Sequence, residues 1–169
     1  MAYRNKTYVC FDADNDIHYY RLMLAWKQND NTDFNFYNAH DLNRLLPTSN
    51  EETIKRKLRE RFLNSKTFIV LIGAQTRYLY RFVRWEMEQA IKLDLPIIAV
   101  NLKGDRSMDS DRCPPIIRNE LTIHISFNAA IIQYTLEHWE SRHYELKRDG
   151  KTGPYYYKTE VYERLGLYE

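Results

Sequence analysis

Thr67-Phe68-Ile69-Val70-Leu71-Ile72-Gly73 is the stretch on which the fold turns. After the threonine it is unbroken by polar residues, it is rich in β-branched side chains, and a glycine stops it. A strand covered on both faces reads this way, because neither face meets water. Pro96 to Asn101 repeats the signature. Between the two, Arg81 to Leu93 carries Val83, Met87, Ala90 and Ile91 within one arc of a helix, at about 100° per residue.

Upstream, Glu51 to Asn64 is a helix with Ile54, Leu58 and Phe62 on one face and Ser49 or Asn50 placed to cap it. Glu51 with Lys55 and Glu52 with Arg56 are spaced for i,i+4 ion pairs. Asn38 to Asn50 is polar and Pro-interrupted, a long loop, and Phe34 to Tyr37 is a short strand before it. Tyr19, Tyr20, Met23 and Leu24 mark another helix, capped by Asn15 or Asp16 and fading in Gln28-Asn29-Asp30-Asn31. Thr7 to Phe11 is the first strand. Downstream, Leu102 to Pro115 is a loop, Ile123 to Ile125 a last strand, and Ile132, Thr135, Leu136 and Trp139 trace a last long helix.

Strands alternating with helices predict an α/β fold, because parallel neighbours need crossovers. The expected form is an open parallel five-stranded sheet in flavodoxin-like order with helices on both faces. Residues 1–143 are expected to form one domain, with the tyrosine-rich C-terminal extension 144–169, which holds six of the 14 tyrosines, packed on it.

Twenty-five Lys and Arg against 23 Asp and Glu leave a net charge of +2, no surplus of the kind that grips a phosphate backbone, so nucleic acid is not an expected partner. The apolar runs are far shorter than the roughly 18 residues that span a bilayer, and the polar Met1 to Lys6 lacks a secretion signal. A soluble, cytoplasmic protein without a membrane partner is the expectation. Cys10 and Cys113 form no paired motif, and Cys10, within a strand, reads as a reduced core residue.

In such sheets ligands bind beyond the carboxyl ends of the strands, here Asp12 to Asp16, Asn38 to Asp41 and Gly73 to Thr76. A phosphorylatable receiver needs an aspartate where Ile72-Gly73 stands, and a flavin phosphate would be repelled by Asp12-Ala13-Asp14-Asn15-Asp16. Neither Gly-x-Gly-x-x-Gly nor a P-loop occurs, which excludes a classical dehydrogenase or ATPase. His138 and His143 are five apart and share no helix face, while His18, His40 and His124 are isolated, so no metal site is expected. What remains is Glu86, on the shoulder of the core-facing arc near a helix start, where it can reach the sheet rim; by periodicity alone it reads at least as well as a solvated helix residue favoured by the dipole. Trp85 points nearly opposite the core, to an assembly surface or beneath the C-terminal extension.

Thr-Phe-Ile-Val-Leu-Ile-Gly-Ala-Gln-Thr (67–76), Phe-Val-Arg-Trp-Glu-Met-Glu-Gln-Ala-Ile (82–91) and Leu-Pro-Ile-Ile-Ala-Val (95–100) together resemble the TIR-like domains of the Thoeris (ThsB) type from bacterial anti-phage defence. The likeness runs from Thr7 to Asn101 and is densest between Leu58 and Val100. It implies a flavodoxin-like TIR fold and an NAD+ nucleosidase or ADP-ribosyl cyclase, latent until triggered, that cuts the nicotinamide–ribose bond and makes a cyclic ADP-ribose-type signal.

The glutamate that does this in the family matches Glu86, the expected catalytic residue. The resemblance implies substrate-binding roles for Phe11 and Asp12 at the end of the first strand, for Asp14, and for Asn38 and Asp41 in the loop that mediates assembly and gating. It implies the same for Gly73, which permits close approach, and for Phe82. Many TIR domains carry tryptophan where Phe82 stands; this chain has its Trp at 85. For Asp12, Asp14 and Asp41, turn formation and helix capping account for the residue type as well as ligand contact does. NAD+ is expected as substrate with no cofactor and no metal, alongside self-association through TIR surfaces and a separate effector that senses the product. The alternative is a non-catalytic TIR-type adaptor acting by self-association or partner recruitment.

Overall fold

Alternation along the central strands builds two cores, one on each face of a sheet. The computed structural model describes residues 6–29, 34–36 and 50–168. Strand β1 is Lys6–Cys10, β2 Ser65–Ile72, β3 Ile97–Asn101 and β4 Thr122–Ser126, all paired in parallel in that order. In β2, Ile69 and Leu71 face one core while Phe68, Val70 and Ile72 face the other, all but fully buried. Period-2 geometry lets a continuously apolar run feed both sides at once.

Helices α1 (Ile17–Asn29) and α4 (Ala129–Arg148) cover the first face through Tyr20, Met23, Ile132 and Trp139. The second face is closed by α2 (Glu51–Leu63) with Ile54, Leu58 and Phe62, and by α3 (Val83–Lys92) with Val83, Met87 and Ala90. Asn50 is the cap of α2, its side chain accepting from the Thr53 amide at 2.8 Å. Asn128 caps α4 in the same way.

Phe36 makes a parallel bridge to Thr7, so the chain from Phe34 lies beyond β1 and the order around β1 is the flavodoxin-like one. Tyr37 and the loop from Asn38 to Ser49 lie outside the described residues. The fifth strand of the continuous sheet is one that periodicity missed: β5, Pro154–Tyr156, from the C-terminal extension, which adds parallel to β4 with α4 as the crossover. Three residues are too short to carry a period. The expected boundary at 143/144 falls inside α4, which runs to Arg148. Gly150, at φ +72°, ends that helix by letting Lys151 and Gly150 donate back to the carbonyls of Leu146 and Lys147, which turns the chain toward β5. Beyond it, α5 (Thr159–Arg164) buries Tyr162 completely in the first core, while Tyr156 and Tyr168 stay exposed.

Two local expectations are corrected. Lys55 pairs with Glu51 at 3.0 Å, but Glu52 pairs with Arg59 at 3.1 Å rather than with Arg56. Trp85 lies against α2, edge-on to Phe62 with centroids 6.2 Å apart and with Lys55 and Arg59 over its ring. A helix wheel measured from the sheet alone overlooks that a neighbouring helix also covers a side of α3. Arg59, drawn over the indole, is thereby turned back toward Glu52.

Candidate active site

Tyr8 and Cys10 alternate with Val9 on β1, so both point to the face covered by α2 and α3. Tyr8 is 4% exposed, its ring stacked on Phe62 at 4.1 Å and on Phe68 at 5.6 Å. That packing leaves its hydroxyl one direction, and it donates to Glu86 Oε2 at 2.5 Å. Glu86 stands in the first turn of α3, where its amide closes the helix onto the Phe82 carbonyl. The helix dipole favours an anion there. Burial outweighs it: the Glu86 carboxyl is pushed up to about 7 by desolvation, against the opposing hydrogen bonds of Tyr8 and Cys10 and the charge of Arg61. Tyr8 and Cys10 are in turn held well above their ordinary values, by burial first and by the Glu86 carboxylate second.

A pocket of about 540 Å³ opens beside this carboxyl. Its lining comes from the end of β1 and the turn after it, from α2 through Ile54, Leu58 and Arg61, and from residues 78–83 leading into α3. A volume in this range with a few convergent polar groups has the form of a small-molecule site. A half-ionised carboxyl in such a place can act as an acid, a base or an electrostatic partner for a cation.

Of the residues singled out from sequence, Phe11, Asp12, Asp14, Phe82 and Glu86 all line this pocket. Phe11 borders it while stacking on Tyr20 at 4.9 Å on the other face of the sheet. Asp12 is 2% exposed and shapes the turn: Oδ1 accepts from the Asp14 and Asn15 amides and Oδ2 from the Asn15 side chain. Asp14 is exposed at the rim. Gly73 is not among the lining residues; a Cβ there would sit 2.2 Å from Asp16 Oδ2, so the close approach it permits is to Asp16. Asn38, Asp41 and His40 lie outside the described residues.

Sequence reasoning missed Tyr8, Arg61, Tyr78 and Tyr80, which join the lining. Tyr8 carried one usable signal, a hydroxyl-bearing ring two residues before Cys10 and so on the same face of the first strand. Cys10 is buried and free as a core thiol should be, its Sγ donating to the Val83 carbonyl at 3.9 Å, and it helps to restrain the rise of the Glu86 carboxyl, a role not anticipated for it. Among the described residues no group of His, Cys, Asp and Glu is arranged to hold a metal ion. His124 is fully buried, pushed down to about 4 by desolvation, and His143 lies 3.3 Å from Asp94 Oδ1. No helix among the described residues is long and apolar enough to cross a membrane.

A flavodoxin-like parallel sheet, with Glu86 in the first turn of the helix that follows β2, is the architecture expected of a TIR-like domain. The family model for the Thoeris protein ThsB, TIR-like domain, matches residues 8–107, and the chain belongs to that family of anti-phage defence proteins. The match runs from Tyr8, within β1, to the loop after β3 and so includes every described residue of the Glu86 pocket. No curated protein matches the chain.

Proposed function

We propose that this protein cleaves the bond between nicotinamide and ribose in NAD+, with Glu86 as the essential carboxylate. The observation that carries the reading is the Glu86 carboxyl, hydrogen-bonded by a buried tyrosine at 2.5 Å and set beside a pocket of about 540 Å³. The nicotinamide ring of NAD+ is already cationic, so the glycosidic electron pair departs with it as a neutral base. No general acid is required. Positive charge grows on the ribose carbon instead, and an ionised carboxylate stabilises that oxocarbenium-like transition state more than the ground state.

A carboxyl near 7 is about half ionised at neutral pH, and a bound cationic substrate favours the ionised form. The ribosyl cation is then captured by water, which loses a proton to solvent, or by a nucleophile on the adenosine half of the same molecule. A pocket that excludes water favours the second course and a cyclic ADP-ribose-type product, to be sensed by a separate effector. The test is nicotinamide release from NAD+ by purified protein, alone and with infected-cell lysate as trigger, beside Glu86→Gln. Undiminished release by a folded Glu86→Gln variant removes the proposed role.

A non-catalytic adaptor is the rival, favoured by Phe82 standing where many TIR domains carry tryptophan and by the exposed Tyr156 and Tyr168 of the C-terminal extension. Sedimentation that reveals a defined assembly, together with no turnover even in the presence of lysate, selects it.

A further inference from the structure

Residues 77–84, Arg-Tyr-Leu-Tyr-Arg-Phe-Val-Arg, interleave cations with rings between a 3-10 turn and α3. Leu79 and Phe82 are drawn into the second core, and the Leu79 amide and carbonyl are bonded to Thr76 and Arg84. The anchored backbone holds Tyr78 and Tyr80 outward, 55% and 64% exposed, and both line the Glu86 pocket. Exposed rings fixed at the mouth of a largely apolar pocket with a few charged groups are placed to stack on a flat ligand, since a nucleobase loses little by stacking on any aromatic face.

Charge in the pocket is unevenly distributed. Asp12 and Asp14 enter from the turn after β1, whereas Arg61 enters from α2 and Arg81 from the tyrosine segment. Arg81 meets Glu51 through its Nε at 3.2 Å in an exposed pair that competes weakly with a phosphate. Arg77 donates to the Asp111 carbonyl while lying over the Tyr78 ring, 5.5 Å from its centroid, and Arg84 lies over the Tyr80 ring at 5.9 Å, so each cation takes one face of its ring and a ligand would stack on the other. NAD+ has a matching asymmetry: a cationic nicotinamide at one end, a diphosphate in the middle and a neutral, stackable adenine at the other.

We infer that Tyr78 and Tyr80, with Arg81 and Arg61, form a subsite for the adenosine diphosphate half of the dinucleotide. This rests on the reading of NAD+ as substrate and adds its orientation: nicotinamide riboside toward Asp14 and Glu86, diphosphate on the arginines, adenine on the tyrosines. Held there, the adenosine half is the part of the substrate positioned to recapture the ribosyl cation.

The test is calorimetric titration of the full chain with ADP-ribose, which needs no turnover, alongside nicotinamide mononucleotide, which lacks the adenosine. Glu86→Gln is expected to retain ADP-ribose binding that depends on the tyrosines, since Tyr78, Tyr80 and the arginines are unchanged in it. The Tyr78→Ala/Tyr80→Ala double variant is expected to bind ADP-ribose at least about tenfold more weakly, with Tyr78→Phe/Tyr80→Phe retaining affinity and mononucleotide binding unchanged in both. Absence of ADP-ribose binding by wild type, or equal affinity in the alanine double variant, overturns the subsite. Nicotinamide release measured in parallel separates the two claims: release from NAD+ with tyrosine-independent affinity leaves the cleavage reading standing alone, and tyrosine-dependent binding without release leaves the subsite standing alone.

Discussion

The Tyr8 hydroxyl donates to Glu86 Oε2 at 2.5 Å, joining residues 78 positions apart in the chain. The bond favours the ionised carboxylate and works against the desolvation that pushes Glu86 up. A catalytic role for the carboxylate therefore depends on a phenol that need not touch substrate.

Removing only that hydroxyl, in Tyr8→Phe, keeps the ring between Phe62 and Phe68 and raises the Glu86 pKa further above about 7. A hydrogen bond to a charged group contributes about 1.5–3 kcal/mol, which corresponds to about 1–2 pH units. The ascending limb of kcat/KM for NAD+ against pH is expected to move toward alkali by about one unit, with activity near neutrality falling about fivefold and recovering at higher pH. A profile with the wild-type midpoint removes Tyr8 from this role.

Glu86→Gln is expected to stabilise the fold while it abolishes cleavage. The native carboxyl, near 7, keeps a proton that the unfolded chain releases around its ordinary 4.5. The stability this group contributes is therefore fully present below about 4.5 and is lost as pH rises through about 7. Glutamine can still accept the Tyr8 hydroxyl and carries no such pH-dependent loss. Urea denaturation is expected to find the variant about 1–3 kcal/mol more stable than wild type at pH 8, with the difference closing toward pH 4. A constant difference across that range contradicts the assignment of a raised carboxyl.

Gly73→Ala is expected to cost about 1–3 kcal/mol, since the new methyl would overlap the buried Asp16 carboxylate, 2.2 Å from the ideal Cβ. In the Asp16→Ala background the same substitution is expected to cost markedly less. Additive losses in that double-mutant cycle, followed by thermal denaturation, separate the effect from contact with Asp16.

Local pattern carried the reading of β2, β3, α2 and α3, because the periods of 2 and 3.6 residues are written into neighbouring side chains. A cap at Ser49 or Asn50 and a core face of Val83, Met87, Ala90 and Ile91 on α3 follow from spacing; the structure selects Asn50 and leaves Ile91 only partly buried. Glu86 was legible from spacing only as a carboxylate beside an apolar stripe in a first helical turn; the resemblance singled it out, and the structure sets it in the pocket wall. The acidic cluster after β1 was legible only as a place: both Asp12 oxygens turn out to be engaged in shaping the turn. Glu52 chose Arg59 over Arg56 because Trp85 lies beneath the arginine, and that tryptophan is far away in sequence.

Residue order was enough to specify a parallel α/β sheet, which strands belong to its middle, and which helix presents the glutamate, since burial patterns and caps act over a few residues. Chain folding over long distances settled the remainder. It brought Tyr8 from β1 onto Glu86, packed Trp85 edge-on against α2, set Tyr78 and Tyr80 at the pocket mouth, and recruited Pro154–Tyr156 as the outermost paired strand. Those contacts join elements whose separation leaves no periodic trace, and they form because packing two faces of one sheet brings particular side chains within reach.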